Sequence, residues 1–228
     1  MLVKDWMTQH VITIGAEDSL QKAMGLMTDY EVSMLPVTDG GKLIGIVSDG
    51  DLKRAAPSDA VGLDMDFVAE HMSRALVRSV MTPNPITVPE DFTIDEAAKV
   101  MFDNKISGCP VRDGEGRIVG IFTKSDLFRA IISVTGLARK GLQLGVVVED
   151  RPGSIREVTS LVRRHGGRLL SILTSSDSAP KGFRHAYIRA FNLGPEKRDK
   201  LKRELEETLH LLYLVDYREN QRKIFNSE

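Results

Sequence analysis

An internal repeat constrains this chain more than any other feature of its sequence. Met7-Thr8 recurs 74 residues later as Met81-Thr82, and at the same spacing Ile12-Thr13-Ile14 meets Ile86-Thr87-Val88. Leu20, Ala23, Met24 and Met27 meet Ile94, Ala97, Ala98 and Met101. Those positions stand at i, i+3, i+4 and i+7, which is the pattern of one buried helix face. Ser33 and Pro36-Val37 meet Ser107 and Pro110-Val111, and by Gly45 and Gly120 the spacing has become 75. One residue has therefore entered the turn at 113–116, where an insertion costs least.

Each copy predicts strand, helix, strand, turn, strand, helix. Asp39-Gly40-Gly41 and Asp113-Gly114-Glu115-Gly116 are hairpin signals, so the second and third strands of each copy pair antiparallel. The first and second strands are joined through a helix and share a sheet by crossover. One copy alone would be marginal, and two packed together solve that problem. Residues 1–55 and 77–137 are the two copies, with 56–76 between them. That connector holds Pro57-Ser58-Asp59 and a helical run across 67–76, and is expected to supply the leading segment of the second copy.

The candidate chemistry lies at two strand-to-helix corners, Gly45-Ile46-Val47-Ser48-Asp49-Gly50-Asp51-Leu52 and Gly120-Ile121-Phe122-Thr123-Lys124-Ser125-Asp126-Leu127. A hydroxyl followed three residues later by a carboxylate is a helix-capping pattern. It also suits a nucleotide. Asp51 and Asp126 could accept hydrogen bonds from a ribose diol, while Ser48 and Thr123, with the N–H groups of the helix starts, could meet phosphate. An adenine ring needs apolar walls and backbone partners, which Ile12-Thr13-Ile14 with Met34-Leu35-Pro36, and Ile86-Thr87-Val88 with Gly108-Cys109-Pro110, could supply; the same strands could equally be core. Lys124 follows the second hydroxyl residue where Asp49 follows the first, so a polyanion should favour the second corner. Arg54 and Arg129 stand one helical turn beyond the two aspartates and do not distinguish the copies.

Residues 1 to about 137 resemble a tandem pair of CBS domains. The features are Met-Thr before an Ile-Thr-Ile or Ile-Thr-Val strand, the Ser-x-x-Pro-Val strand, and the Gly-h-h-[Ser/Thr]-x-x-Asp-Leu corner (h, apolar), all present in both copies. The resemblance implies a regulatory module with two clefts that take adenine nucleotides (AMP, ADP or ATP) or S-adenosylmethionine.

The last third changes pattern. Leu142, Leu144, Val146 and Val148 alternate as a strand, Asp150-Arg151-Pro152-Gly153 makes a turn, and Ser154 is expected to cap the next helix. Ile155, Val158, Leu161 and Val162 give that helix its apolar face, and Gly166-Gly167 end it. Strands follow at 169–173 and 185–191, then a helix from Pro195 and a strand at 211–217. The order βαββαβ is ferredoxin-like, and the chain as a whole is α+β. Residues 141–219 resemble an ACT domain, mainly through Val-Val-Glu-Asp-Arg-Pro-Gly at a strand-to-helix corner, leaving 220–228 as a tail. That resemblance implies an amino-acid effector at Asp150, Arg151, Pro152 and Gly153, or a dimerisation role. Arg168 stands where the family pattern expects a small polar residue. A CBS pair followed by an ACT domain resembles the acetoin-utilisation (AcuB-type) proteins.

Composition narrows the remainder. A net charge of −1 over 228 residues gives no global reason to expect nucleic acid. A single cysteine, Cys109, excludes an intrachain disulfide framework. The start of the chain carries no secretory pattern and no stretch reaches a membrane span, so a soluble cytoplasmic protein is expected. The five histidines lack metal-ligand spacing, no phosphate-binding glycine loop is present, and no nucleophile–base pair appears. The expectation is a non-enzymatic, homodimeric or larger regulator without a cofactor; the alternative is a partner-binding module with vestigial clefts.

Overall fold

A computed structural model describes residues 1–56 and 65–225. It divides into two compact units, residues 1–128 and 129–228.

In the first unit, β1 (Ile14–Gly15) leads to α1 (Leu20–Asp29), β2 (Met34–Asp39), β3 (Lys42–Ser48) and α2 (Asp49–Ala55). After α3 (Met65–Arg74) and β4 (Thr82–Pro83) the second copy repeats the order as β5 (Val88–Pro89), α4 (Ile94–Asp103), β6 (Gly108–Arg112), β7 (Ile118–Thr123) and α5 (Lys124–Thr135). β1 pairs parallel with β2 and β5 with β6, while β2–β3 and β6–β7 are antiparallel hairpins. Gly40 and Gly41, with φ of 52° and 82°, close the first hairpin in two residues, a left-handed pair that glycine adopts without strain. Ser19 accepts from the N–H of Lys22 to cap α1, and Thr93 with Glu96 makes a capping box on α4. Leu20, Ala23 and Met27 are buried, as are Ile94, Ala97 and Met101. Met24, expected on the buried face, is 47% exposed, because its position lies at the margin of the apolar stripe.

Two expectations need correction. The runs 12–14 and 86–88 are not full strands: only Ile14 and Val88 enter ladders, and Ile12, Thr13, Ile86 and Thr87 lie outside them. The connector does not lead the second copy. Its end packs on the first, where the Leu20 N–H donates to the Ala75 carbonyl (2.9 Å), and so do the residues after it: the Val77 and Arg78 N–H groups donate to Asp18 and Ala16 carbonyls, and Thr82 and Pro83 pair with Ile46 and Gly45. The N-terminal segment serves the second copy instead: Val3 N–H donates to the Phe92 carbonyl (2.8 Å), and Thr8 bridges Ile121. The leading segments are thus exchanged, and each satisfies the outer edge of the other copy's third strand. The expected helix at 67–76 is α3; Pro57, Ser58 and Asp59 lie outside the described residues.

The second unit is an antiparallel sheet of β8 (Leu142–Glu149), β9 (Arg168–Ser175), β10 (Phe183–Phe191), β11 (His210–Asp216) and β12 (Gln221–Ile224), in the order β12-β11-β8-β10-β9. α6 (Ser154–Arg164) and α7 (Pro195–Thr208) pack on one face of it, over Leu144, Val146, Ala186 and Ile188. Two further corrections arise here. The supposed tail contains β12, an added strand on β11. Ser154 does not cap α6: Gly153 does, at φ 92°, while the Ser154 hydroxyl donates to the Arg151 carbonyl (3.1 Å). Among the described residues no helix is long and apolar enough to cross a membrane.

Candidate functional site

The two corners are built alike, atom for atom. At the first, the Ser48 N–H and hydroxyl both donate to Asp51 Oδ2, at 2.8 and 2.6 Å, and the Asp51 N–H returns to Ser48 Oγ at 3.3 Å. At the second, the Thr123 N–H and hydroxyl donate to Asp126 Oδ2, both at 2.8 Å, and the Asp126 N–H returns to Thr123 Oγ1 at 3.3 Å. Each is a capping box with aspartate at its third position, stabilising the helix start. The first N–H of each helix is also engaged: Asp49 donates to the Ser33 carbonyl and Lys124 to the Ser107 carbonyl, both at 2.9 Å. These donors are committed within the fold. A phosphate would find these donors already engaged.

The aspartates differ in burial. Asp126 is only 3% exposed, whereas the Asp51 side chain is 17% exposed. The charge contrast also narrows, because Asp49 is held by Lys53 at 3.0 Å. That hydrogen bond keeps the Asp49 carboxyl below its usual range, against a small opposing cost of burial. Lys124 remains an exposed cation beside the second box.

Register brings the corners to the starts of the second strands. Met34 faces Ser48 across β2–β3, and Gly108 faces Thr123 across β6–β7. The copies meet there: a Cβ on Gly108 would lie 2.7 Å from Met34 Cε. Met34-Leu35-Pro36, Gly108-Cys109-Pro110, Ser48 and Thr123 are thus contiguous. Ile14, Leu35, Val88 and Cys109 turn their side chains into the interior, each 3% exposed or less, so a ligand would meet their backbone only. Burial pushes the Cys109 thiol up to about 12, which makes it a packing group. Thr13 and Ile86 are exposed, and Ile12 and Thr87 half-buried.

The corner at 150–153 is a separate surface feature. Arg151 donates to both carboxylate oxygens of Glu157 (2.9 and 3.0 Å) and to Glu149 (2.5 Å), and these bonds raise its already high pKa further. Asp150 pairs with Arg184, and Pro152 and Gly153 are exposed. No neighbouring atom lies within 4 Å of a Cβ placed on Gly153. Glycine is required there by its positive φ and not by a close approach within the chain.

Two capped corners meeting at the joint of a duplicated α/β unit, followed by a ferredoxin-like sandwich, define a two-module architecture. The CBS domain model matches residues 3–58 and 77–133, and the ACT domain model residues 142–210. The chain belongs to the CBS-domain family, as a tandem CBS pair followed by a C-terminal ACT domain. It is 34% identical over 135 residues to a CBS domain-containing protein of Dictyostelium discoideum, covering 59% of this chain and 93% of that one. The CBS-pair protein CBSX2 of Arabidopsis thaliana is 27% identical, with 59% and 96% of the chains covered and a TM-score of 0.52. The CBS domain pair of protein MJ0100, crystallised with 5′-methylthioadenosine and S-adenosyl-L-methionine, is 30% identical over 61% of this chain and 98% of that one, with a TM-score of 0.48.

Proposed function

We propose that the chain is a non-enzymatic ligand sensor whose CBS pair binds an adenosyl compound (AMP, ADP, ATP or S-adenosylmethionine), with the second corner preferred for phosphates. The observation that carries this reading is the duplication of one hydroxyl–aspartate box at two adjoining strand starts. In this reading Asp126, and less strongly Asp51, turns its carboxylate to the ribose. Thr123 and Lys124 meet phosphate at the second corner, and Ser48 serves the first. Binding would act by favouring one conformation of the pair over another. One observation favours a module with vestigial clefts instead: both hydroxyls and both aspartates already satisfy one another. Calorimetric titration of the full chain with AMP, ATP and S-adenosylmethionine separates the two, since the vestigial module binds none of them.

The corner of Asp150, Arg151, Pro152 and Gly153 is proposed as the place of an amino-acid effector, which would have to compete with Glu157 and Glu149 for Arg151. A homodimer is proposed as well. β12 covers one edge of the C-terminal sheet, while β9 lies at the other with Ile172 and Leu173 41% and 39% exposed. An apolar edge strand with no further strand beside it among the described residues invites a copy of itself. Light scattering at micromolar concentration should give at least twice the chain mass of 25.3 kDa; a monomer mass would remove the proposal.

A further inference from the structure

The face of the C-terminal sheet opposite α6 and α7 is built around a buried cation. Alternation along β8 turns Leu144 and Val146 under the helices and leaves Gln143 and Gly145 on the other face. A Cβ on Gly145 would lie 2.6 Å from Tyr213 Cε1. The missing side chain thus lets the Tyr213 ring lie across β8, stacked on Tyr187 with centroids 6.3 Å apart. Gln143 Nε2 donates to the Tyr213 hydroxyl (3.1 Å), and Gln143 Oε1 accepts from the Tyr217 hydroxyl (3.0 Å) and from Arg189 Nη2. Arg189 is 4% exposed, with its guanidinium 4.7 Å from the centre of the Tyr217 ring. Its Nε and Nη1 are buried without a hydrogen-bond partner, and no carboxylate among the described residues pairs with it.

A buried guanidinium without a counter-charge is costly, and folds rarely keep one without use. Beside this network opens a cavity of about 310 Å³, lined by Gln143, Tyr213, Val215, Tyr217, Arg222 and Ile224. Among the described residues no acidic side chain lines it. Arg222 adds a second cation, 6.0 Å from the Tyr217 ring centre, and Val215 and Ile224 give an apolar wall. Burial holds the Tyr213 phenol above its ordinary range, so it stays a proton donor at neutral pH.

We propose that this sheet face is a binding site for a small organic monocarboxylate with an apolar body. The carboxylate takes hydrogen bonds from the tyrosine hydroxyls and Arg222, which line the cavity, while Arg189, stacked on Tyr217 and outside the lining, attracts it at longer range. The body lies against Val215 and Ile224. The volume is at the small end of ligand cavities, which restricts the occupant to a compact acid. The site shares no residue with the CBS corners or the 150–153 turn, and it does not depend on either being occupied.

Benzoate is a suitable probe, followed by calorimetry and by the tyrosine ring signals in the NMR spectrum of the full chain. The wild type should bind benzoate with shifts at Tyr213 and Tyr217, and should not bind neutral benzamide. Arg189→Met should weaken benzoate by about 10-fold, the loss of a nearby buried cation. Without ligand it should keep or raise the melting temperature, because an unpaired buried charge has been removed. Tyr217→Phe, which keeps the ring over Arg189, should weaken benzoate less. The proposal is overturned by a wild type that ignores benzoate or binds benzamide equally well. It is also overturned by an Arg189→Met that melts lower yet binds benzoate unchanged, which would make Arg189 purely structural. Inorganic phosphate binding as tightly as benzoate would overturn the apolar-body requirement.

Discussion

Gly141→Ala is expected to destabilise the C-terminal unit by about 2–3 kcal/mol or more, the range of a forced overpacking. A Cβ at this position would lie 2.1 Å from the carbonyl oxygen of Ala190. That oxygen is backbone and cannot swing aside as a side chain could. Moving it disturbs the Leu142–Ala190 pairing that begins the β8–β10 ladder, and Gly141 also accepts the Tyr217 N–H at 2.9 Å. Chemical denaturation should then show the ACT unit unfolding at lower denaturant while the CBS unit, whose contacts are untouched, keeps its midpoint. An unchanged single transition would mean that the strand start tolerates a shift the geometry forbids. Gly153→Ala gives a comparison, since its cost is the positive φ alone, about 1–2 kcal/mol, with open space for the methyl group.

Asp126→Ala carries the second large effect, and it separates stability from binding. Removing the box at Thr123 should cost about 0.5–2 kcal/mol of stability, the worth of a helix cap. If the buried carboxylate also meets a ribose, adenosyl-ligand affinity should fall by about 10- to 100-fold as a charged hydrogen bond is lost. Asp51→Ala loses the same cap, so its stability cost should be similar. Its effect on affinity should be smaller, because Asp51 is the more exposed. Titration calorimetry and thermal melts on the same three proteins provide both readouts. Two stability losses with unchanged affinity would reduce both aspartates to caps.

The parts legible in the sequence were those written in periodicity and duplication. The helix faces of α1 and α4, both hairpins, the two boxes and the βαββαβ order follow from spacing that any copy of the unit must keep. The exchange of leading segments was not legible, because Met7-Thr8 and Met81-Thr82 are the same letters. Sequence identity cannot say which copy each will pack against, whereas the ladders Thr8–Ile121 and Thr82–Ile46 do. β12 escaped because Gln221, Arg222, Lys223 and Ile224 are all exposed and lack the alternation of a half-buried strand. The cap of α6 was assigned to Ser154 on side-chain chemistry, whereas the backbone turns left-handed at Gly153, one residue earlier. The network on the open sheet face was out of reach for another reason. Gln143, Arg189, Tyr213 and Tyr217 are far apart in the chain, and only the strand register unites them.

The central claim, that the paired corners hold an adenosyl ligand, is tested most directly by titrating adenosine, AMP, ATP and S-adenosylmethionine into the full chain and into Lys124→Ala. The account predicts saturable binding of at least one of these to the wild type. For Lys124→Ala it predicts a weakening that is larger for ATP than for adenosine, since only the phosphates feel that charge. Absence of heat from all four ligands would contradict it, and equal losses for ATP and adenosine would remove Lys124 from the phosphate site.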